Sequence, residues 1–347
     1  MYDKNLLDTI GNTPLVKLRN SGARIFAKME LMNPFGMKDR VAKNIILKAK
    51  AEGILKENDP IIESSSGTMA CGIALVGTYL NHPVHIVTDP RIDSITLAKL
   101  KALGCEIHIV EKIGLNGWQS ARLNLLQQLR TSINNTFWPQ QYDNYDNPSS
   151  YHLLADEIIE AVGKVDYFVA SVGSGGSISG TAERLKQYNA DTRIVAVDST
   201  GSVIFGQKDN PGRLQSGLGN SIIAENVKYK LIDEVHWLND EEAFNATLEL
   251  AQKEKIFAGN SSGSVYKVSQ WLAGKHPEKT IVALFPDRGD RYVNTIYDEQ
   301  FWAEKNLNKR GDSLPQKIET LMDVSSWSYL DLTKINSKKD LEEIICI

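Results

Sequence analysis

The chain has 347 residues, 42% of them hydrophobic and 24% charged, with a formal net charge of −4. That length can bury a core for one large domain or two smaller ones, and the acidic balance excludes the phosphate-neutralising surface of a nonspecific nucleic-acid binder. Cys71, Cys105 and Cys346 are odd in number and widely spaced, so neither a disulfide framework nor a zinc knuckle is expected. The N-terminal MYDKNLLDTI is too polar for a signal peptide, and the longest apolar run, near residues 73–80, is far short of a membrane span. A cytoplasmic protein is expected.

In chain order, β-rich runs at 24–29, 83–88, 106–110, 167–172, 193–198 and 280–285 alternate with amphipathic stretches at 39–53, 95–104, 118–130, 151–162 and 240–255. This alternation predicts an α/β fold of parallel sheets with helices on both faces. Residues 134–150, rich in Asn, Asp, Gln and Pro, read as a long loop between two lobes. After residue 301 the character turns polar, and 303–347 read as a peripheral tail or cap. His82 and His85 flank one predicted strand and His108 lies in another. With no acid or cysteine nearby at metal spacing they read as structural, and no metal is expected. The six tryptophans are scattered and read as core or interface aromatics.

The most informative segment is 164–184, KVDYFVASVGSGGSISGTAER, a β-branched run broken by glycines and leading into a helix. Such a turn presents bare backbone N–H groups to a phosphate at a helix N-terminus. Asp198 ends a strand about 25 residues later, where a dinucleotide fold would hold a ribose hydroxyl. However, Ile178 stands where GxGxxG needs its third glycine, which argues against a nicotinamide cofactor.

Five further segments join this loop: TIGNTPLVKL at 9–18, NPFGMKDR at 33–40, ESSSGTMACGIAL at 63–75, FAGNSSGS at 257–264 and FPDRGDRY at 285–292. In this order, over roughly residues 5–300, they resemble the two-lobed fold type II pyridoxal-phosphate enzymes of the cysteine synthase and cystathionine β-synthase family. The wording SSSGTM, GRLQSGLGNS and PDRGDRY is most similar to the branch that uses O-phosphoserine or makes siderophore precursors. The resemblance implies a large cofactor-binding domain of 1–40 plus 147–302, a smaller mobile substrate domain of 41–146, and a C-terminal extension of 303–347. It also implies a homodimer acting on a small amino acid and a sulfur or amine nucleophile.

By the same resemblance, Lys38 is the Schiff-base lysine. Its amine must be neutral to attack an aldehyde, and burial or the start of a helix lowers its pKa toward that state. Gly173, Ser174, Gly175, Gly176 and Ser177 would cradle the cofactor phosphate. Ser65, Ser66, Gly67 and Thr68 would clamp the substrate carboxylate, with Gln141 beside them, although Ser66 or Thr68 could equally be an N-cap. The implied reaction is β-replacement on an O-activated serine through an enzyme-bound aminoacrylate. The alternatives are a serine/threonine deaminase-like β-eliminase and a catalytically silent binding protein on the same scaffold.

Three departures from the family pattern stand out. The lysine loop is one residue short, which would rotate Lys38 by about 100° unless the loop rearranges. The family's SGNTG is replaced by SGTMACG, leaving Thr68 as the nearest counterpart of its cofactor-binding asparagine. Arg288 occupies the position of the hydroxyl residue that meets the pyridine nitrogen, and an arginine there would keep the ring unprotonated. Otherwise Arg288 points outward and Asp287 meets the ring. For an O-phosphoserine substrate, Arg213 and Arg288 are the candidate cationic partners.

Overall fold

The computed structural model describes residues 4–19, 24–114, 117–309 and 313–334. Cys346 lies outside them, as does part of the polar tail. The first half of the chain contains β1 (Leu15–Lys17), β2 (Arg24–Lys28), α1 (Lys38–Ala51), β3 (Ile61–Ser64), α2 (Thr68–Tyr79), β4 (Val84–Thr88), α3 (Ser94–Ala102), β5 (Glu106–Ile109) and α4 (Gly117–Ser132). There follow α5 (Asp146–Ser149), α6 (His152–Val162), β6 (Tyr167–Ser171), α7 (Gly176–Tyr188), β7 (Arg193–Ser199), β8 (Glu234–Leu238), α8 (Asp240–Glu254), α9 (Asn260–Lys275), β9 (Thr280–Leu284), α10 (Glu299–Glu304), β10 (Gln316–Lys317) and β11 (Ser328–Asp331).

Two sheets result. The larger runs β1-β2-β9-β6-β7-β8-β11-β10, and its central pairs from β2 to β8 are all parallel. The smaller is the parallel set β3-β4-β5. Strand alternation divides the core of the large sheet in two. Phe168, Ala170, Ile194, Ala196, Val282 and Leu284 face one apolar cluster, which also holds Leu154 of α6 and Ile178 of α7. Their neighbours Val169, Val195, Val197, Ile281 and Ala283 face another, with Val265, Val268 and Leu272 of α9. Both faces of the sheet are therefore covered by helices, which is why these strands read as continuous apolar runs. Among the described residues, no helix is long and apolar enough to cross a membrane.

All six expected strands form. The short β1, β3, β10 and β11, and the buried β8, escaped the sequence reading. The tail is not a separate cap in its described part. Ser328–Asp331 pairs antiparallel with β8, and Ile318, Trp327 and Leu330 are buried there. The Trp327 indole N–H donates to His236 Nδ1 at 3.0 Å. A few apolar residues spaced through a polar segment suffice to add an edge to the sheet.

The loop before α6 is pressed against α7. A Cβ on Gly180 would lie 1.8 Å from the backbone carbonyl oxygen of Pro148 in α5. Gly180→Ala must therefore displace backbone, and it should cost ~1–3 kcal/mol of stability by overpacking. Urea unfolding of the variant checks this; an unchanged midpoint would mean that α5 and α7 do not touch.

Candidate active site

The parallel strands of both sheets end at one cavity of about 400 Å³. Ligands in open α/β folds collect at this edge because the loops beyond the strand C-termini converge there. The segment after β3 contributes Ser65–Met69, the turn after β6 contributes Gly173 and Ser174, and the turn after β9 contributes Pro286 and Asp287. α4 and residues 209–221 complete the wall.

Lys38 opens α1 and lines this cavity. The short loop before it has rearranged. Gly36 takes φ +130°, the Met37 N–H donates to the Pro286 carbonyl at 2.9 Å, and the Phe35 N–H donates to the Asp39 carboxylate at 2.8 Å. A left-handed glycine and a buried carboxylate thus absorb the missing residue, and Lys38 still points inward. Burial lowers the Lys38 pKa to about 8, against the opposing pull of Asp287 and Glu30. Its Nζ lies 3.5 Å from the hydroxyl of the fully buried Tyr151. Burial also raises Asp39 to about 7.

Two helices begin at the cavity without a side-chain cap. At α7, the N–H groups of Gly175, Gly176, Ser177 and Ile178 find no acceptor among the described residues. Four orphan donors at a helix start make an anion site. The glycines serve packing as much as ligand approach. A Cβ on Gly175 would lie 2.4 Å from Val227, and one on Gly176 would lie 2.1 Å from Asn147 Oδ1. Of the five loop residues, Gly173 and Ser174 line the cavity, while Gly175, Gly176 and Ser177 lie just behind.

At α2 the N-cap is Gly67, so neither Ser66 nor Thr68 spends its hydroxyl as a cap. The Gly67 N–H donates to Ser65 Oγ at 3.2 Å, and Ser65, Ser66, Gly67 and Thr68 all line the cavity. Gln141 is also on the wall, and its side-chain amide donates to the Ser64 carbonyl at 3.1 Å. Its own main-chain carbonyl accepts from the amides of Asn147 and Asn226.

Arg288 is not on this wall. Its guanidinium pairs with Asp290 at 3.1 Å and donates to the Pro34 carbonyl at 3.2 Å, leaving the side chain 45% exposed. A charge that finds water and a carboxylate outside has no reason to be buried. Its neighbour Asp287 faces inward instead, accepting from the Tyr292 hydroxyl at 2.8 Å. Burial raises the Asp287 pKa, opposed by Arg291, Tyr292 and Lys38. Arg213 does line the cavity, but its guanidinium is occupied by the Gly201 carbonyl, Asp209 and Ser221. It braces the 201–221 loop.

Other residues on the wall were not singled out from sequence. Trp118, Gln119 and Arg122 project from α4, and Arg291 packs against Gly67. Arg122 is buried and pairs with Asp89 at 3.3 Å, yet its Nε has no acceptor among the described residues; nor has Gln119 Nε2. One signal was available: Gln119, Arg122 and Leu126 share the buried stripe of α4, where an arginine is out of place without a partner.

This arrangement fits pyridoxal phosphate: an amine whose pKa burial has lowered to about 8 shares the cavity with an uncapped helix start, a feature suited to a phosphate. The family model for pyridoxal-phosphate dependent enzymes matches residues 6–287. Among solved structures, the chain is 30% identical to cysteine synthase from Entamoeba histolytica, covering 90% of this chain and 93% of that one with a TM-score of 0.81. It is also 30% identical to the O-acetylserine dependent cystathionine beta-synthase from Helicobacter pylori, covering 86% and 100% with a TM-score of 0.80. An O-ureido-L-serine synthase is 26% identical, covering 88% and 99% with a TM-score of 0.79. With a match of that extent, this chain belongs to the pyridoxal-phosphate dependent enzymes and is built on the fold of the cysteine synthases.

Proposed function

We propose that this enzyme carries out β-replacement on an O-activated L-serine, O-phosphoserine or O-acetylserine. The product would be cysteine or a related β-substituted alanine, such as S-sulfocysteine or a diaminopropionate-type amino acid. The observation that carries this reading is Lys38, buried and with a lowered pKa, in one cavity with two uncapped helix starts. Pyridoxal phosphate supplies the electron sink for the α-carbon. The start of α7 holds its phosphate, Lys38 its aldehyde carbon, and Asp287 is the acid available to its ring nitrogen. A carboxylate in that role favours a protonated ring, the reverse of what Arg288 would impose. The α2 start and Gln141 hold the substrate carboxylate. The Lys38 amine takes the proton from the substrate Cα and, after the nucleophile has joined Cβ, returns one there.

Titration of Lys38 gives a direct check. The amine is neutral above its pKa, so cofactor loading of the apoenzyme should accelerate as pH rises and reach half its limit near pH 8. Formation of the cofactor's visible absorption band measures this. A midpoint near the ordinary lysine value of about 10.4 would mean that Lys38 is not desolvated.

The unpaired Nε of buried Arg122 favours O-phosphoserine of the two donors, since a dianionic leaving group would satisfy it. Adding each donor to the holoenzyme should shift the absorption band to longer wavelength, and a later nucleophile should reverse the shift. Arg122→Gln should raise KM for O-phosphoserine by roughly tenfold or more, as expected for a lost charge-assisted bond, and leave O-acetylserine unchanged. Steady release of pyruvate without added nucleophile would instead mark a β-eliminase. The features that suggested a silent scaffold have lost their force: the short loop still delivers Lys38, and Arg288 stands aside.

We further infer a cytoplasmic homodimer, in which 41–146 moves as the smaller lobe against 1–40 plus 147–302. A separate three-stranded sheet within 61–109 and a cavity walled from both parts support the lobes. Light scattering of the holoenzyme should give twice the chain mass; a monomer mass would refute the dimer.

A further inference from the structure

Two of the three histidines read as structural, His85 and His108, do meet an acid. β4 and β5 pair in parallel with His85 opposite Glu106 and Val87 opposite His108. Residues paired across a ladder share a face, and so do residues two apart along a strand. His85, Glu106 and His108 therefore stand on one face of the small sheet, although 23 residues separate the two histidines. Sequence spacing hides this cluster because the register of two strands creates it.

The ring nitrogens His85 Nδ1 and His108 Nε2 lie 3.2 Å apart. Glu106 carboxylate oxygens lie 3.4 Å from the first and 3.6 Å from the second. A tetrahedral ion with ligand bonds of 2.0–2.1 Å requires donor separations of about 3.3 Å. The nitrogen–nitrogen contact falls close to that edge length, each ring nitrogen has one of the two Glu106 oxygens beside it, and one ligand atom from each residue lies within 4.8 Å of the others. A proton shared between two neutral imidazoles would account for the nitrogen–nitrogen contact alone, and would not bring one carboxylate to both rings. His85 is nearly buried, and His108 is half-buried, so their rings are already fixed in stacked positions with centroids 5.4 Å apart. The Glu106 side chain is 66% exposed, which leaves an entry path and a fourth position for water. Cys105 and Ile107, alternating with these residues along β5, point to the other face and pack against the core.

We propose that His85, His108 and Glu106 form a binding site for one zinc-class divalent cation, distinct from the catalytic cavity. None of the three lines that cavity. Two imidazoles and one carboxylate are a donor set suited to such ions, whereas calcium or magnesium would demand oxygen ligands. The ion would clip β5, the edge strand of the small sheet, to β4. Its role is to brace that lobe rather than to take part in chemistry.

The test uses tag-free holoenzyme, stripped with a chelator and then titrated with zinc ions alone, with bound metal measured by elemental analysis after dialysis. One equivalent should be retained, and the melting temperature should rise with it. Replacing zinc with cobalt(II) should give the visible bands of a four-coordinate ion. His108→Gln and Glu106→Gln should each lose the retained equivalent and the thermal shift while keeping the cofactor absorption band, which shows that they fold. No retained zinc in the parent protein would overturn the proposal. So would an equivalent that persists in both variants, since it would belong to another site.

Discussion

The buried ion cluster around Arg40 is the constraint on which the rest of the site depends. Its guanidinium forks onto Glu30 at 2.7 and 2.8 Å and onto Glu157 at 2.8 and 2.8 Å, while Lys28 pairs with the same Glu157. Glu30 is wholly buried and Arg40 nearly so. Breaking one partner of such a network costs ~3–5 kcal/mol because the remaining charge is stranded in a low dielectric. The cluster joins β2, the turn after it, α1 and α6. Arg40 is two residues from Lys38, so these ion pairs fix the start of α1 from which Lys38 projects. Glu30 further acts on Lys38 through space, partly offsetting the effect of burial.

Around that fixed point, the site is assembled mainly from main-chain groups. The starts of α2 and α7 lack side-chain caps, which would be a defect in an isolated helix. Here the helix starts lie at the cavity, where open N–H groups and helix dipoles favour an anion. Their glycines are fixed by tight packing, as with Gly176 against Asn147 and Gly180 against Pro148. The segment carrying Gln141 and Asn147 thus bridges the end of β3 at Ser64 and the turn before α7 at Ser174 through two hydrogen bonds.

Much of the fold was legible before any coordinates, because strands buried on both faces are apolar throughout and surface helices carry periodic stripes. β3 and β8 were missed because Glu63, Ser64, Glu234 and His236 interrupt their apolar pattern; those polar groups are buried through specific partners, such as Glu63 with the Trp138 indole and His236 with Glu234. Burial keeps the Glu63 carboxyl near a pKa of about 7, a state no local pattern encodes. Arg288 illustrates a choice that the sequence left open. Motif alignment allowed it either at the ring position or pointing outward, and the Asp290 carboxylate and water outside hold it there.

The sequence by itself determined the parallel α/β class, the lysine and glycine motifs, and the chemistry those residue types imply, since each depends on neighbours within a few positions. Tertiary structure decided which side of a turn each group faces and which distant groups meet. It turned Asp287 inward and Arg288 outward, left the Arg122 Nε without an acceptor on the cavity wall, and brought His85, Glu106 and His108 together through strand register. The physical reason is the same in each case. Burial and pairing energies are set by groups far apart in the chain, and a linear pattern carries no record of them until the strands and helices have packed.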